Sequence, residues 1–142
     1  MQIKIKRLDN SLPMPAYQTS GAVAFDLYSR ENLSVPAKGI VLVPSNLIIE
    51  TPRGYALIIT ARSSLAKKKG LMLANGVGTI DCDYCGPEDE IKLSVYNFTD
   101  QEVAIAKGER MAQGLFIKTD QAEWEEVNEI EKTSRGGFGS TG

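Results

Sequence analysis

The chain has 142 residues, which fits one domain and leaves little room for a second, and its 42% hydrophobic and 24% charged residues are typical of a globular protein. Its formal net charge of −2 argues against a general nucleic-acid-binding protein, and the absence of histidine excludes Ser-His-Asp triads and histidine-ligated metal sites within the chain. No apolar run approaches the roughly 20 residues of a membrane span, and residues 1–7 alternate where a signal peptide needs an apolar core, so we expect a cytoplasmic protein that binds neither membranes nor nucleic acid.

Apolar and polar residues alternate along much of the chain. The alternation predicts strands at residues 2–6, 39–43, 47–51, 54–60, 90–97, 102–106 and 115–118, with Gly, Pro, Asn and Asp between them. Residues 63–70 predict a short helix with Ser63 or Ser64 as N-cap and Gly70 as C-cap. The pattern indicates an all-β fold: an antiparallel sandwich, a jelly roll or a small β-barrel.

The last residues differ from this compact pattern. Residues 132–142 are rich in Gly, Ser and Thr, so we expect a domain at residues 1–131 and a flexible C-terminal arm at residues 132–142. The arm contains Arg135, and Phe138 could stack on an aromatic base. A lid that orders over a ligand explains this composition, and a disordered tail is the alternative.

The helix start is a candidate anion site. Residues 61–65 (Ala-Arg-Ser-Ser-Leu) offer a forked cation, two hydroxyls and unpaired backbone N–H groups, which suit phosphate. Residues 67–69 are lysines and raise the local potential. A capped, solvated surface helix is equally compatible with this segment.

The segment at residues 75–86 is a candidate catalytic hairpin. In a strand, Asp81 and Asp83 lie on one face and Tyr84 on the other, so a bend is needed for Asp81 and Tyr84 to share a pocket. A carboxylate in a pocket can act as the general base for water, whereas a turn-forming or ion-paired aspartate is the alternative.

Asp26 is a second candidate carboxylate, because it lies between apolar residues. An inward aspartate needs a cation or hydrogen-bond donors, and Asp26 could support a hydrated Mg²⁺. A loop aspartate that caps backbone N–H groups is the alternative. Further along, Arg110 could form a structural ion pair, and Gln113 could donate to phosphate or to the backbone.

The cysteines, Cys82 and Cys85, form a C-x-x-C pair. One pair supplies two thiolates, so a structural zinc site would have to be shared between chains. Incidental cysteines are the preferred interpretation, and a redox role is the alternative.

Five segments resemble, in order, the five motifs of the trimeric dUTP diphosphatase (dUTPase) family: residues 22–27, 62–66, 75–86, 108–113 and 135–142. The resemblance spans essentially the whole chain. It implies a distorted jelly roll, a homotrimer with active sites between subunits, and Mg²⁺-dependent hydrolysis of dUTP to dUMP and pyrophosphate. Such an enzyme limits uracil incorporation into DNA and supplies dUMP for thymidylate synthesis.

The resemblance also implies residue roles. Asp81 would be the general base that activates water for attack on the α-phosphate, and Asp26 would hold Mg²⁺ through water. Tyr84 would pack on the deoxyribose and Phe138 would stack on uracil. Uracil edges would be read by Asn75 and by the backbone at Gly78, Thr79 and Ile80. The remaining substrate-binding residues would be Arg62, Ser63, Ser64, Gln113, Arg135, Gly139 and Ser140.

The chain departs from the family motifs at several positions. Ala24 replaces a usual glycine, and Ala61 and Ser64 replace a usual proline and glycine. Residues 87–89 (Pro-Glu-Asp) form a short insertion, and the spacing between Arg135 and Phe138 is two residues shorter than usual.

Three other functions compete with this interpretation. dCTP deaminases share the fold but carry a catalytic glutamate three residues before an asparagine, and here Ser94 precedes Asn97 at that spacing. A binding module that kept the fold and lost turnover would not require Asp81 and the arm. A jelly-roll carbohydrate-binding protein would expose more aromatic platforms than Trp124 and a few tyrosines.

Overall fold

The protein is described by a computed structural model over residues 1–137, which contain eleven strands and one helix. The strands are β1 (Lys4–Arg7), β2 (Phe25–Tyr28), β3 (Leu33–Val35), β4 (Ile40–Pro44), β5 (Leu47–Glu50), β6 (Tyr55–Ala61), β7 (Leu71–Leu73), β8 (Val77–Ile80), β9 (Lys92–Asn97), β10 (Val103–Ile105) and β11 (Arg110–Lys118), and the helix is α1 (Leu65–Lys69). The predicted all-β fold with one short helix is confirmed.

All strand pairs are antiparallel and form four sheets, with the orders β2-β11-β6-β8, β4-β9-β7, β1-β5 and β10-β3. Apolar side chains from all four sheets meet in a common core, as expected for a jelly-roll-like architecture. The buried members of this core are Phe25, Leu27, Val35, Val43, Leu47, Ile49, Leu57, Ile59, Leu65, Leu71, Leu73, Ile91, Leu93, Val95, Ile105, Met111 and Ala112.

Every strand predicted by alternation is present, with ends shifted by a few residues. The strand predicted at 115–118 is longer and begins at Arg110, directly after the turn at Lys107 and Gly108. Three observed strands, β2, β3 and β7, were not predicted. All three are short, since β2 has four residues and β3 and β7 have three each, so alternation gives little signal there.

The candidate hairpin is only partly a strand. β8 ends at Ile80, and Asp81 begins a turn in which its carbonyl oxygen accepts a hydrogen bond from the Tyr84 N–H at 3.3 Å. The expectation of a strand that carries Asp81 and Asp83 on one face is therefore wrong. The bend that would allow Asp81 and Tyr84 to share a pocket is present.

Helix α1 ends as the sequence predicts. Gly70 has φ of 67°, in the left-handed region that glycine adopts freely, and its N–H donates to the Ala66 carbonyl. Ser64 occupies the N-cap position, but its side chain makes no capping hydrogen bond. Among residues 1–137 no helix has the length and apolar character needed to cross a membrane.

Gly114 marks the closest packing in the four-stranded sheet. A Cβ at this position would lie 2.7 Å from Phe25 Cζ and 3.3 Å from Leu57 Cδ1. Only a glycine in β11 lets Phe25, the neighbour of Asp26, pack directly over the strand.

Gly114→Ala is expected to destabilise the protein by about 1–3 kcal/mol, because the new methyl group must displace the Phe25 ring. Urea unfolding at one fixed protein concentration measures this. Gly21→Ala is the matched control, since a Cβ at Gly21 meets nothing within 4 Å. Equal stability of the two variants would contradict the tight packing.

Candidate active site

A buried carboxylate lies at the centre of the first half of the site. The pairing of β2 with β11 places Asp26 opposite Gln113, and Arg62 follows β6 on the other side of β11. The Asp26 side chain is 1% exposed, with Oδ1 at 3.0 Å from Arg62 Nε and Oδ2 at 3.1 Å from Arg110 Nη1. The two guanidinium groups compensate the cost of burying this charge.

Gln113 completes this cluster. Its Nε2 lies 3.5 Å from Asp26 Oδ1, at the outer limit of a hydrogen bond. Asp26 is therefore ion-paired, which is one of the ways an inward aspartate can be stabilised, and Arg110 forms the structural ion pair that the sequence suggests.

A cation-rich cavity of about 530 Å³ opens beside this cluster. Lys69 lies in its wall and pairs with Glu109 at 2.7 Å, while no described carboxylate pairs with Lys68. Such a wall, with an excess of positive charge, suits a small polyanion. The lining residues are Gln18, Tyr28, Arg62, Ser64, Leu65, Lys68, Lys69, Gly108, Glu109 and Arg110.

The cavity differs from the predicted phosphate site in its lining. Ser63 and Gln113 do not line it, although Ser64 does, and Ser63 is exposed. Gln18 and Tyr28 line the cavity, but neither lies in a sequence segment that predicts phosphate binding. For Lys68 and Lys69, the run of lysines at residues 67–69 was the signal in the sequence.

The second half of the site is a small cavity of about 100 Å³ beside β8. Asn75, Gly78, Thr79 and Ile80 line it together, which are the residues predicted to read a pyrimidine. A Cβ at Gly78 would lie 3.2 Å from Ile59 Cβ, so a small residue keeps the strands close here. Ser94, the position that holds glutamate in deaminases, lines the same cavity.

The turn beyond β8 presents the candidate base to solvent. Asp81 and Asp83 are exposed, and neither has an ion pair among the described residues. The Tyr84 side chain is 40% exposed, and its hydroxyl donates to the Glu90 carbonyl oxygen at 3.3 Å. Asp81 is therefore accessible to water and to a ligand.

The two halves of the site lie far apart within one chain. Ile80 lies opposite Leu57 in the β6–β8 pair, and Arg62 follows Leu57 by five residues. At about 3.3 Å per residue, this spacing separates the end of β8 from Arg62 by roughly 17 Å. The cation-rich cavity and the turn at Asp81 consequently lie at opposite ends of β6.

A dUTPase family model matches residues 10–142 of the chain. The chain belongs to the dUTPase family. Two relatives, both named deoxyuridine 5'-triphosphate nucleotidohydrolase, match all of this chain: one from Wolinella succinogenes, 41% identical over 95% of its own length, and one from Hydrogenobaculum sp., 43% identical over 99%.

Solved dUTPases share the fold. The dUTPase from Streptococcus mutans is 33% identical with a TM-score of 0.78, and the match covers 84% of this chain and 98% of that one. A Staphylococcus bacteriophage 80alpha dUTPase with dUPNHPP has a TM-score of 0.87 at 23% identity, over 99% of this chain and 98% of that chain, and shows the fold alone.

In this dUTPase family member, Arg135 is the C-terminal candidate that the structure describes, and it lines neither cavity. Residues 119–137 form no helix or strand, and Arg135 is exposed. Phe138, Gly139 and Ser140 lie outside the described residues. Trp124 is 93% exposed and Ile130 is 70% exposed, so apolar side chains of this segment are not covered by their own chain.

The cysteines beside the hairpin are free. Cys85 Sγ lies 3.7 Å from the Cys82 carbonyl oxygen. Residues 1–137 contain no cluster of three or more Cys, Asp or Glu side chains placed to hold a metal ion.

Asp26→Asn is expected to lower stability by about 2 kcal/mol, because both guanidinium groups lose their partner. This is less than the roughly 3–5 kcal/mol for a fully buried pair, since the Arg62 and Arg110 side chains are 26% and 43% exposed. Urea unfolding measures the change. Glu50→Gln is the control, because its partner Lys4 is 83% exposed and the loss should stay within about 0.5 kcal/mol.

Proposed function

We propose that this chain hydrolyses dUTP to dUMP and pyrophosphate, which would limit uracil incorporation into DNA and supply dUMP for thymidylate synthesis. The observation that carries the proposal is the occurrence, in a member of the dUTPase family, of a cation-rich cavity together with a pyrimidine-sized cavity and an exposed aspartate. The relatives named deoxyuridine 5'-triphosphate nucleotidohydrolase support the same substrate.

Asp81 acts as the general base in this proposal. Its carboxylate takes a proton from water, the water oxygen forms a bond to the α-phosphorus, and the bond from that phosphorus to the bridging oxygen breaks. Pyrophosphate leaves with the electron pair of that bond. The chain contributes mainly by positioning and by neutralising charge, which is the usual route in transfers at phosphorus.

Phosphate binding is assigned to Arg62, Ser63, Ser64 and Gln113, with Arg135, Gly139 and Ser140 supplied by an arm at residues 132–142 that closes over the site. Arg62 uses its Nε for Asp26, so its terminal nitrogens can donate to phosphate. A bound phosphate therefore does not require the ion pair to break.

Base and sugar recognition are assigned to the hairpin. Asn75 and the backbone of residues 78–80 pair with the uracil edge, and the tight cavity excludes the thymine methyl group. Tyr84 covers the deoxyribose and occupies the space of a 2′-hydroxyl, while Phe138 stacks on uracil. Ser94 in place of a glutamate favours hydrolysis over deamination, because serine at this position supplies no carboxylate for a deaminase reaction.

The residues present fit an outer-sphere role toward Mg²⁺. Asp26 Oδ1 is ion-paired with Arg62 Nε and lies at the hydrogen-bond limit from Gln113 Nε2. Oδ2 accepts a hydrogen bond from Arg110 Nη1 and keeps one further lone-pair direction, which suits a metal-bound water better than the metal itself. Mg²⁺, held chiefly by the triphosphate oxygens, would neutralise phosphate charge. Asp26 would orient this assembly through water.

The separation of the two halves supports a homotrimer with shared active sites. An α-phosphate must reach both the water at Asp81 and the cations near Arg62, and roughly 17 Å within one chain is too far. A second copy can bring its cation-rich cavity to the first copy's hairpin, and a third can add its arm, in a closed three-fold assembly.

The uncovered apolar surface supports contacts between copies. Ile40, Leu42 and Met72 are 60%, 58% and 43% exposed, and they lie on the sheet β4-β9-β7. Ile40 and Met72 both lie opposite Tyr96 in the central strand, so these side chains are neighbours on one sheet. A contiguous apolar patch of this kind is typical of an interface between subunits.

Asp81→Asn is expected to reduce dUTP turnover by at least about a thousandfold and to leave nucleotide binding nearly unchanged, because the amide cannot take the proton. Pyrophosphate release from dUTP, ammonia release from dCTP and calorimetric binding of a non-hydrolysable dUTP analogue measure these. Asp83→Asn is the control on the same turn and should retain turnover. Near-normal turnover in Asp81→Asn refutes the base assignment, and ammonia from dCTP refutes the hydrolase.

Mixing two inactive variants tests the shared site. Asp81→Asn and Arg62→Gln chains, denatured together and refolded at equal concentrations, should recover about a quarter of wild-type activity. A shared site needs Asp81 from one chain and Arg62 from its neighbour, and each of these is present with a probability of about one half. Each variant refolded alone is the control. If mixed assemblies form, as judged by two affinity tags, and no activity returns, each site lies within one chain.

A further inference from the structure

The insertion at residues 87–89 forms a turn that closes on itself. The Gly86 N–H donates to Asp89 Oδ2 at 2.7 Å, and the Asp89 N–H donates to the Gly86 carbonyl at 3.1 Å. A Cβ at Gly86 would lie 2.9 Å from Asp89 Oδ2, so the glycine lets the carboxylate approach its N–H. The Asp89 side chain therefore sets the geometry of this turn.

The turn delivers a hydrogen-bond acceptor to Tyr84. Glu90 follows directly after Asp89, and its carbonyl oxygen accepts the Tyr84 hydroxyl at 3.3 Å. Among the described residues, the Tyr84 side chain makes no other hydrogen bond, and Tyr84 as a whole is 40% exposed. The ring therefore depends on this contact for its orientation more than a buried ring would.

Glu90 is itself anchored to the body of the domain. Its side chain is buried and accepts hydrogen bonds from Arg30 Nε at 2.9 Å, Arg30 Nη2 at 3.0 Å and the Asn46 N–H at 2.8 Å. The hydrogen bonds to Glu90 raise the pKa of the Arg30 guanidinium, which keeps the pair charged. Glu90 is thus held firmly in the domain. The insertion turn, which joins Tyr84 to Glu90, sets the distance between the Glu90 carbonyl oxygen and the Tyr84 ring.

We propose that Asp89 is a positioning residue that, through the insertion turn and the Glu90 carbonyl, holds the Tyr84 ring in place and thereby increases the preference for deoxyribonucleotides over ribonucleotides. This inference rests on the proposed function, in which the Tyr84 ring occupies the space of a 2′-hydroxyl. A ring that can rotate away leaves room for that hydroxyl. The deoxyribose substrate loses less, because it fits either ring position.

The test compares kcat/KM for dUTP and for UTP, measured as pyrophosphate release with Mg²⁺ present. Tyr84→Phe removes the hydroxyl and keeps the ring, and Asp89→Ala removes the carboxylate that closes the turn. Each should lower the ratio of dUTP to UTP turnover about fivefold, the equivalent of one neutral hydrogen bond. The loss should come mainly from faster UTP hydrolysis.

The chain offers a matched control on the same turn. Glu88 is exposed, and its carboxylate has no hydrogen bond or ion pair with another described residue, so Glu88→Ala should keep the wild-type ratio. Asp89→Asn should also stay near the wild-type ratio, since an amide oxygen can still accept the Gly86 N–H.

A double variant separates positioning from a general structural effect. Asp89→Ala added to Tyr84→Phe should lower the ratio no further, because both changes remove the same contact. A loss of dUTP turnover in Asp89→Ala with an unchanged ratio would show a merely structural role and overturn the proposal. If Asp89→Ala does not fold, Tyr84→Phe decides alone, and a wild-type ratio in that variant overturns the proposal.

The failure of the proposed function gives a different result. A wild-type chain that releases no pyrophosphate from dUTP refutes the function and this inference together. A wild-type chain that hydrolyses dUTP, with Tyr84→Phe, Asp89→Ala and Glu88→Ala all at the same ratio, refutes the inference alone.

Discussion

The ion pairs of Asp26 are the interaction on which the rest of the candidate site depends. A carboxylate that is 1% exposed is stable only with charged or hydrogen-bonding partners, and here Arg62 and Arg110 provide them. The three residues come from β2, the end of β6 and the start of β11, so one buried charge joins three segments of the sheet. The same guanidinium groups line the cation-rich cavity, and the contact that stabilises the fold also orients the cations.

The position of β11 between β2 and β6 explains why the site is divided. β11 brings the residues around Asp26 together, whereas β8 pairs with the far edge of β6 and ends beside Leu57. Extended strands are stiff, so the roughly 17 Å between the two halves cannot be closed by a small movement within the chain. In the proposed assembly, copies of the chain would complete the site by placing unlike halves side by side, as rotational symmetry allows.

Much of the fold could be predicted from alternation of apolar and polar residues, and in β9 this alternation corresponds to alternating buried and more exposed positions. Alternation did not identify β2, which has only four residues and in which the polar Asp26 is buried by its ion pairs. It also overextended the hairpin strand, since a local hydrogen bond from Tyr84 to the Asp81 carbonyl turns the chain after Ile80. Motif order located most candidate residues, but Gln18 and Tyr28 carry no local signal for the cavity they line.

The sequence by itself determined the all-β class, the family and the chemical types available to the site, because these depend on short-range pattern and on residue identity. Only the tertiary structure decided which donors hold Asp26, how far apart the two halves lie, and that the insertion turn reaches Tyr84 through Glu90. The physical reason is the range of the contacts. Asp26 and Arg110 are 84 positions apart, and strand pairing alone brings them within hydrogen-bond distance.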